Sequence, residues 1–252
     1  ADEVGSPVWK NEDEISVDTE KPQAFTYISY TRYKSEILTQ LNYVYWFSGR
    51  PKKSSGDLYG GNLDALVWRV TLNSQGKPVL YDSIHACGCY HLLFLPSGTE
   101  IDVQKIENEK PLVFPMPSTE NADPTAPSHL QLKIEAESHY LIAVLAKPAS
   151  QNGIDDINPA TMKPSVNSRV YHYSLQSYQT LLSMPATPNR RSLFGADGIV
   201  AQSSRLERFI LWPLGIPNAG AMREAGTHAI AFIGKRHFDD AWLFDELGLY
   251  LE

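Results

Sequence analysis

Apolar residues along this chain recur with a period of two far more often than with a helical period. Leu66, Trp68, Val70 and Leu72 alternate with Val67, Arg69 and Thr71, which is the signature of a strand with one dry face. Asn73, Ser74, Gln75 and Gly76 then supply turn residues, so residues 79–84 read as the return strand of a hairpin. A second alternation is sharper still. Leu130, Leu132, Ile134 and Ala136 face one way while Gln131, Lys133, Glu135 and Glu137 face the other, and residues 140–146 are the expected partner strand. Residues 41–47 are apolar on nearly both faces, which predicts a central strand ended by Gly49, Arg50 and Pro51.

Between these runs the pattern breaks. Five prolines within residues 111–127 exclude regular helix there, and residues 148–164 form a second Pro/Asn/Asp-rich connection, the natural boundary if the chain has two lobes. Short strands are expected at 209–212 and 229–233, and helical turns at 178–183, 221–225 and 240–247. Residues 1–23, with Glu12, Asp13, Glu14, Asp18 and Glu20, read as an acidic, solvated arm. The fold expected is mainly β: one domain over 24–252, a sandwich or distorted barrel of short antiparallel strands with a few short helices and long Pro-rich loops.

Composition narrows the setting. With 252 residues, of which 42% are hydrophobic and 20% charged, the chain is long enough to bury a substantial core. A formal net charge of -7 argues against a nucleic-acid partner, which demands a concentrated basic surface. No apolar run reaches the length of about 18 residues that a spanning helix needs. The chain begins Ala1, Asp2, Glu3, as it would after removal of a leader at a small residue, so a bacterial exported protein, periplasmic or extracellular, is the expectation.

The chemistry concentrates in one stretch. His85, Ala86, Cys87, Gly88, Cys89, Tyr90 and His91 hold both cysteines of the chain and two of its histidines. In an extended strand His85, Cys87, Cys89 and His91 share a face, yet an advance of ~3.3 Å per residue would separate the outer two by roughly 20 Å. Either the chain curls at Gly88, or a subset such as Cys87, Cys89 and His91 acts with a ligand from elsewhere. The second form is favoured, with His228, His237 and Asp239 as the distal candidates, because that C-terminal stretch joins histidines to carboxylates. Imidazole and thiolate are ligands of zinc and copper, so a zinc or copper ion is the cofactor these residues suggest. The bland alternative makes His228 a hydrogen-bonded core residue, His237 a turn residue and the two cysteines inert.

Two other functions use the same residues or none of them. Cys87 or Cys89 serves as the nucleophile of a hydrolase, acyltransferase or thiol redox protein if His85, His91 or His228 lies close as a base and Asp82, Asp239 or Asp240 orients it. A Cys87–Cys89 bridge would be a strained, easily reduced ring, which suits redox chemistry. The third reading is a binding module for a glycan, peptide or protein, with Tyr27, Tyr30, Tyr33, Tyr43, Tyr45 and Trp46 lining a groove. Walker loops, dinucleotide fingerprints, nucleophile-elbow serines, zinc-protease helices and haem-attachment motifs are absent from the sequence.

Overall fold

A computed structural model describes residues 3–102, 106, 111–117, 128–148, 172–228 and 237–251. The period-two segments become a nine-stranded sheet. Its strands are β1 (Val4–Trp9), β2 (Ile15–Asp18), β3 (Gln23–Tyr33), β4 (Glu36–Arg50), β5 (Gly61–Leu72), β6 (Pro78–His85), β7 (Leu92–Leu95), β9 (Leu112–Pro115) and β12 (Ser174–Ser177). The main path runs β12-β3-β4-β5-β6-β7-β9, while β1 pairs with both β4 and β2. The remaining strands form three two-stranded pairs: β8 (Thr99–Ile101) with β15 (Leu249–Leu251), β10 (Ser128–Ile134) with β11 (Leu141–Pro148), and β13 (Met184–Pro185) with β14 (Arg190–Arg191).

Most neighbours are antiparallel, as the hairpin signals predict, and the sheet stays open at β12 and β9, so the described strands close no barrel. The expected hairpin is present in β5 and β6, with Leu66 opposite His85 and Arg69 opposite Asp82. The amphipathic strand and its partner are β10 and β11.

Side chains alternate across the sheet, and each face is dry for a different reason. On the first face, Val44 and Trp46 of β4, Leu63, Ala65 and Val67 of β5, and Ile84 of β6 pack under Tyr178, Leu181, Met184, Phe194, Met222 and Phe238 from the irregular C-terminal third. On the second face, Tyr45, Phe47, Leu66, Trp68, Leu92 and Phe94 meet Leu141 and Val144 of β11. A smaller cluster joins Leu80 and Leu93 to Leu243, Phe244 and Leu247 around the helix α2 (Leu243–Glu246), within the span expected to be helical. Removing a side chain such as Leu66 or Leu80 from water contributes roughly 1.5–3 kcal/mol, so the two layers carry the fold.

Several expectations are corrected. From Val4 onward the first 23 residues are no solvated arm: Val4 pairs with Phe47, Gly5 with Trp46, and Val4 is buried. Acidic residues there sit in the turn between β1 and β2, at the last position of β2 and just past it, and they mask the apolar positions that dock. Residues 208–211 form the helix α1 (Arg208–Leu211) rather than a strand, because so short an apolar run carries no period that separates strand from helix. Residues 221–225 are irregular, with Arg223 bridged to Ile199, while a 3-10 turn does occupy Tyr178–Leu182. The expected strand at 229–233 and the connection at 149–164 lie outside the described residues. No described helix is long and apolar enough to cross a membrane.

Candidate functional site

Strand β6 ends at His85, and the chain turns back at once. Gly88 donates its N–H to the His85 carbonyl (2.7 Å) and His85 donates to the Cys89 carbonyl (2.9 Å). Gly88 holds φ at 96°, a conformation that costs glycine little and other residues much. Of the two arrangements compatible with the sequence, the chain adopts the curl at Gly88. Ala86 secures the turn on both sides, donating to the Ala65 carbonyl (2.8 Å) and accepting from the Arg223 N–H (2.9 Å).

The curl holds both cysteines in one tight turn. Cys87 and Cys89 are both free thiols, separated by Gly88 alone. Cys87 lies in the core beneath the first face, whereas Cys89 is half-buried against Ile216 and Ala219. The neighbouring Cys89 side chain and burial together push the Cys87 thiol well above its usual range. Two cations complete the surroundings. The Arg205 and Arg223 guanidinium groups, both buried, feel the Cys87 thiol, and Arg223 also feels Cys89.

The two imidazoles of the stretch leave in opposite directions. In β7, Leu92 lies opposite Ser83, which shares the face of His85, so His91 falls on the other face. The turn thus breaks the parity that a continuous strand would keep. On the second face, the His85 Nε2 atom is 3.1 Å from the His139 carbonyl, and its Nδ1 atom is 3.8 Å from Asp64 Oδ1. His139 Nδ1 stands 2.7 Å from Asp64 Oδ2 while its ring stacks on Phe47. On the first face, His91 Nε2 is 3.0 Å from Asp82 Oδ2, and Arg69 grips the same carboxylate through Nε (2.9 Å) and Nη2 (2.5 Å).

The distal candidates stand beside the stretch, though beside His91 rather than the thiols. Phe238 places its ring against both His91 (5.4 Å) and His228 (6.0 Å), and Arg69 stacks over it at 3.6 Å while donating to its carbonyl. His228 Nδ1 is 2.9 Å from Asp239 Oδ2, which also accepts the His228 backbone N–H. His237 is exposed, and Asp240 accepts the Trp242 N–H in a turn. Among the described residues no group of three or more His, Cys, Asp or Glu side chains is placed to hold a metal ion. The favoured set of Cys87, Cys89 and His91 with a ligand from His228, His237 or Asp239 is therefore not brought together among the described residues, and His85 and His91 stand on opposite faces.

Burial alone would raise the carboxyls of Asp64, Asp82 and Asp239, but their partners outweigh it. Arg69 and His91 hold Asp82 below the ordinary range, His139 and His85 hold Asp64, and His228 holds Asp239. Burial pushes the His85 imidazole down despite Asp64. These pairs suit the fastening of loops to the sheet, since each carboxylate has its partner within the fold. The aromatic groove is not formed either. Alternation sends Tyr45 and Trp46 to opposite faces, both buried, and leaves Tyr30 at the surface.

Asp64, His139, Arg205 and Arg223 carry no signal in the sequence, because nothing local links them to the cysteines. Arg69 and Asp82 carry one: an arginine and an aspartate at facing positions of an apolar hairpin demand each other. Comparison with protein-family models, curated proteins and solved structures finds no match to this chain.

Proposed function

We propose that this protein is a thiol redox protein whose reactive element is the Cys87–Gly88–Cys89 turn. The observation that carries the reading is the placement of two free cysteines one residue apart in a turn closed by Gly88, with Cys89 half-buried and Cys87 in the core. Catalytic thiols need this asymmetry: an accessible sulfur to attack and a sheltered one to resolve.

The reaction is thiol–disulfide exchange. The Cys89 thiolate attacks one sulfur of a substrate disulfide, that S–S bond breaks, and the leaving thiolate takes a proton from solvent. Cys87 then gives up its proton, attacks the Cys89 sulfur and releases the second substrate thiol. The substrate disulfide is reduced to two thiols while the dithiol is oxidised to one bridge. Arg223 and Arg205 favour the thiolate stages by charge. A bridge across one intervening residue is a strained ring, which places its reduction potential on the oxidising side.

The same two sulfurs support a second reading, a copper(I) site, because paired thiolates suit a soft monovalent ion, whereas structural zinc asks for four ligands. A periplasmic or extracellular setting accords with a dithiol that cycles to a disulfide.

Equilibration of the folded protein in glutathione buffers tests the proposal, with the Cys87–Cys89 bridge read by mass and by peptide mapping. The expected result is reversible bridge formation at a potential above about -300 mV, and fast alkylation at Cys89 with Cys87 protected. Thiols that stay inert to oxidised glutathione in the folded protein would overturn it. Formation only of a stable copper(I) complex that blocks oxidation would favour the second reading.

A further inference from the structure

We propose that the Cys87–Gly88–Cys89 turn is also a redox-sensitive switch: closing a bridge between its two sulfurs draws Cys89 away from Ile216 and Ala219 and loosens residues 209–219 from the body of the protein. The proposal rests on the dithiol reading and names what that chemistry regulates within the fold.

Cys89 sits at a joint. Cys87 belongs to the core of the first face, whereas Ile216 and Ala219 form a separate small cluster with Leu211 and Leu214. Among the described residues Cys89 alone packs against both clusters. Hydrophobic stabilisation scales with the area removed from water, so one lost contact weighs more in this small cluster than in the main core.

A second tie of the segment passes through the same turn. Arg223 donates its backbone N–H to the Ala86 carbonyl (2.9 Å), and its guanidinium donates to the Pro217 carbonyl. Residues 209–219 contribute no strand to the sheet. They hold the end of helix α1, the 3-10 turn Trp212–Leu214 and Gly215 at φ 70°. Their backbone bonds are local, from Ile210 to the Glu207 carbonyl (2.9 Å) and from Gly215 to the Trp212 carbonyl (3.2 Å), so packing rather than a ladder decides whether the segment stays docked. Upstream, Glu207 donates to the Leu58 carbonyl (3.1 Å) and sets where the loosening stops.

Bridge formation requires movement, because the two free thiols stand outside bonding distance. Cys87 is held in place. Ala86 beside it donates to the Ala65 carbonyl and accepts from Arg223, and Cys87 itself is 8% exposed within the core. Cys89 is half-buried, and its carbonyl bonds only within the turn, to the His85 N–H. Cys89 is therefore the residue that shifts, toward the first-face core and away from Ile216 and Ala219. The exchange balances with a disulfide as oxidant: the two thiols give up two protons and two electrons to oxidised glutathione, which leaves as two glutathione thiols.

The test compares amide hydrogen exchange in the reduced full chain, in the same protein treated with oxidised glutathione, and in the variant Cys89→Ala kept reduced. Intact mass reports the bridge, and thermal unfolding is the folding control. The expected result is about tenfold faster exchange across 209–219 in the bridged protein, reversed by dithiothreitol, with β5 (Gly61–Leu72) unchanged. Cys89→Ala should speed the same segment about fivefold without any oxidant, because the sulfur has gone from the joint. A bridge without faster exchange at 209–219 overturns the switch and leaves the dithiol reading standing. Exchange in folded Cys89→Ala equal to that of the reduced wild type overturns the switch too, as does equal acceleration of β5, which marks a general loosening. If Cys89→Ala fails to fold, the bridged and reduced wild type decide the matter. Absence of a bridge, with the mass unchanged or raised by a glutathione adduct, overturns the switch and the dithiol reading together.

Discussion

Asp82 and Asp64 lie on opposite faces of one β-hairpin, both buried, and the protein neutralises them with different chemistry. Asp82 meets the permanent charge of Arg69 through two hydrogen bonds and adds His91. Asp64 relies on His139 at 2.7 Å, on the more distant His85, and on the Ala65 backbone N–H at 3.0 Å. The first face thus holds its carboxylate with a hydrogen-bonded guanidinium, which keeps its charge at every pH the protein meets, while the second uses an imidazole hydrogen bond with the Arg205 charge acting from farther off. An arginine clamp, fixed in charge, anchors Phe238 and the C-terminal segment, and a histidine clamp anchors the β10–β11 hairpin through His139.

The largest effect should follow from breaking the fixed clamp. Arg69→Met leaves the Asp82 carboxylate buried beside His91 alone, and we expect a loss of about 3–5 kcal/mol in urea unfolding. The double variant Arg69→Met, Asp82→Leu should recover most of it, because no unpaired charge then remains. A recovery of less than half would show that Arg69 acts mainly through its stacking on Phe238.

Breaking the other side should cost less. His139→Phe keeps the stack on Phe47 but removes the hydrogen bond to Asp64, with an expected loss of about 1.5–3 kcal/mol by the same measurement. If it equals the Arg69→Met loss, the two faces are not distinguished by whether a guanidinium or an imidazole bonds the carboxylate.

The pH dependence sharpens the contrast, and its sign follows from the direction of each shift. Asp82 and Asp64 are held below their unfolded values, so their contribution is present above about pH 4 and is lost as pH falls through the folded values. The His85 imidazole is also pushed down, so the unfolded chain binds its proton first and stability begins to fall below about pH 6.5. The urea midpoint of His85→Gln should therefore be flatter than wild type between about pH 6.5 and 5, and should fall with it in stronger acid. Parallel profiles over the whole range would remove His85 from this account.

The smallest effect is expected at the edge of the first face. Asp239→Asn retains an acceptor for the His228 backbone N–H while discarding the charge, and a loss of about 1 kcal/mol is expected. Hydrogen exchange at the Phe238 N–H, bonded to the His228 carbonyl at 3.1 Å, would report the local loosening directly.

The sequence by itself determined the strands. Period-two alternation at 66–72 and 130–136, the turn at 73–76 and the apolar run at 41–47 fix local structure because a strand's two faces are written residue by residue. It also marked the Cys87–Cys89 segment as the place where chemistry concentrates. It did not determine which way the histidines point, because one curl at Gly88 reverses the parity between β6 and β7 and parts His85 from His91. Nor did it reveal that Val4 and Gly5 pair with β4 while residues 6–9 pair with β2, since acidic neighbours obscure a pairing that depends on register. Only the tertiary structure decided that Arg205, Arg223 and Ile216 surround the thiols, because contacts between residues more than a hundred positions apart leave no trace in local pattern.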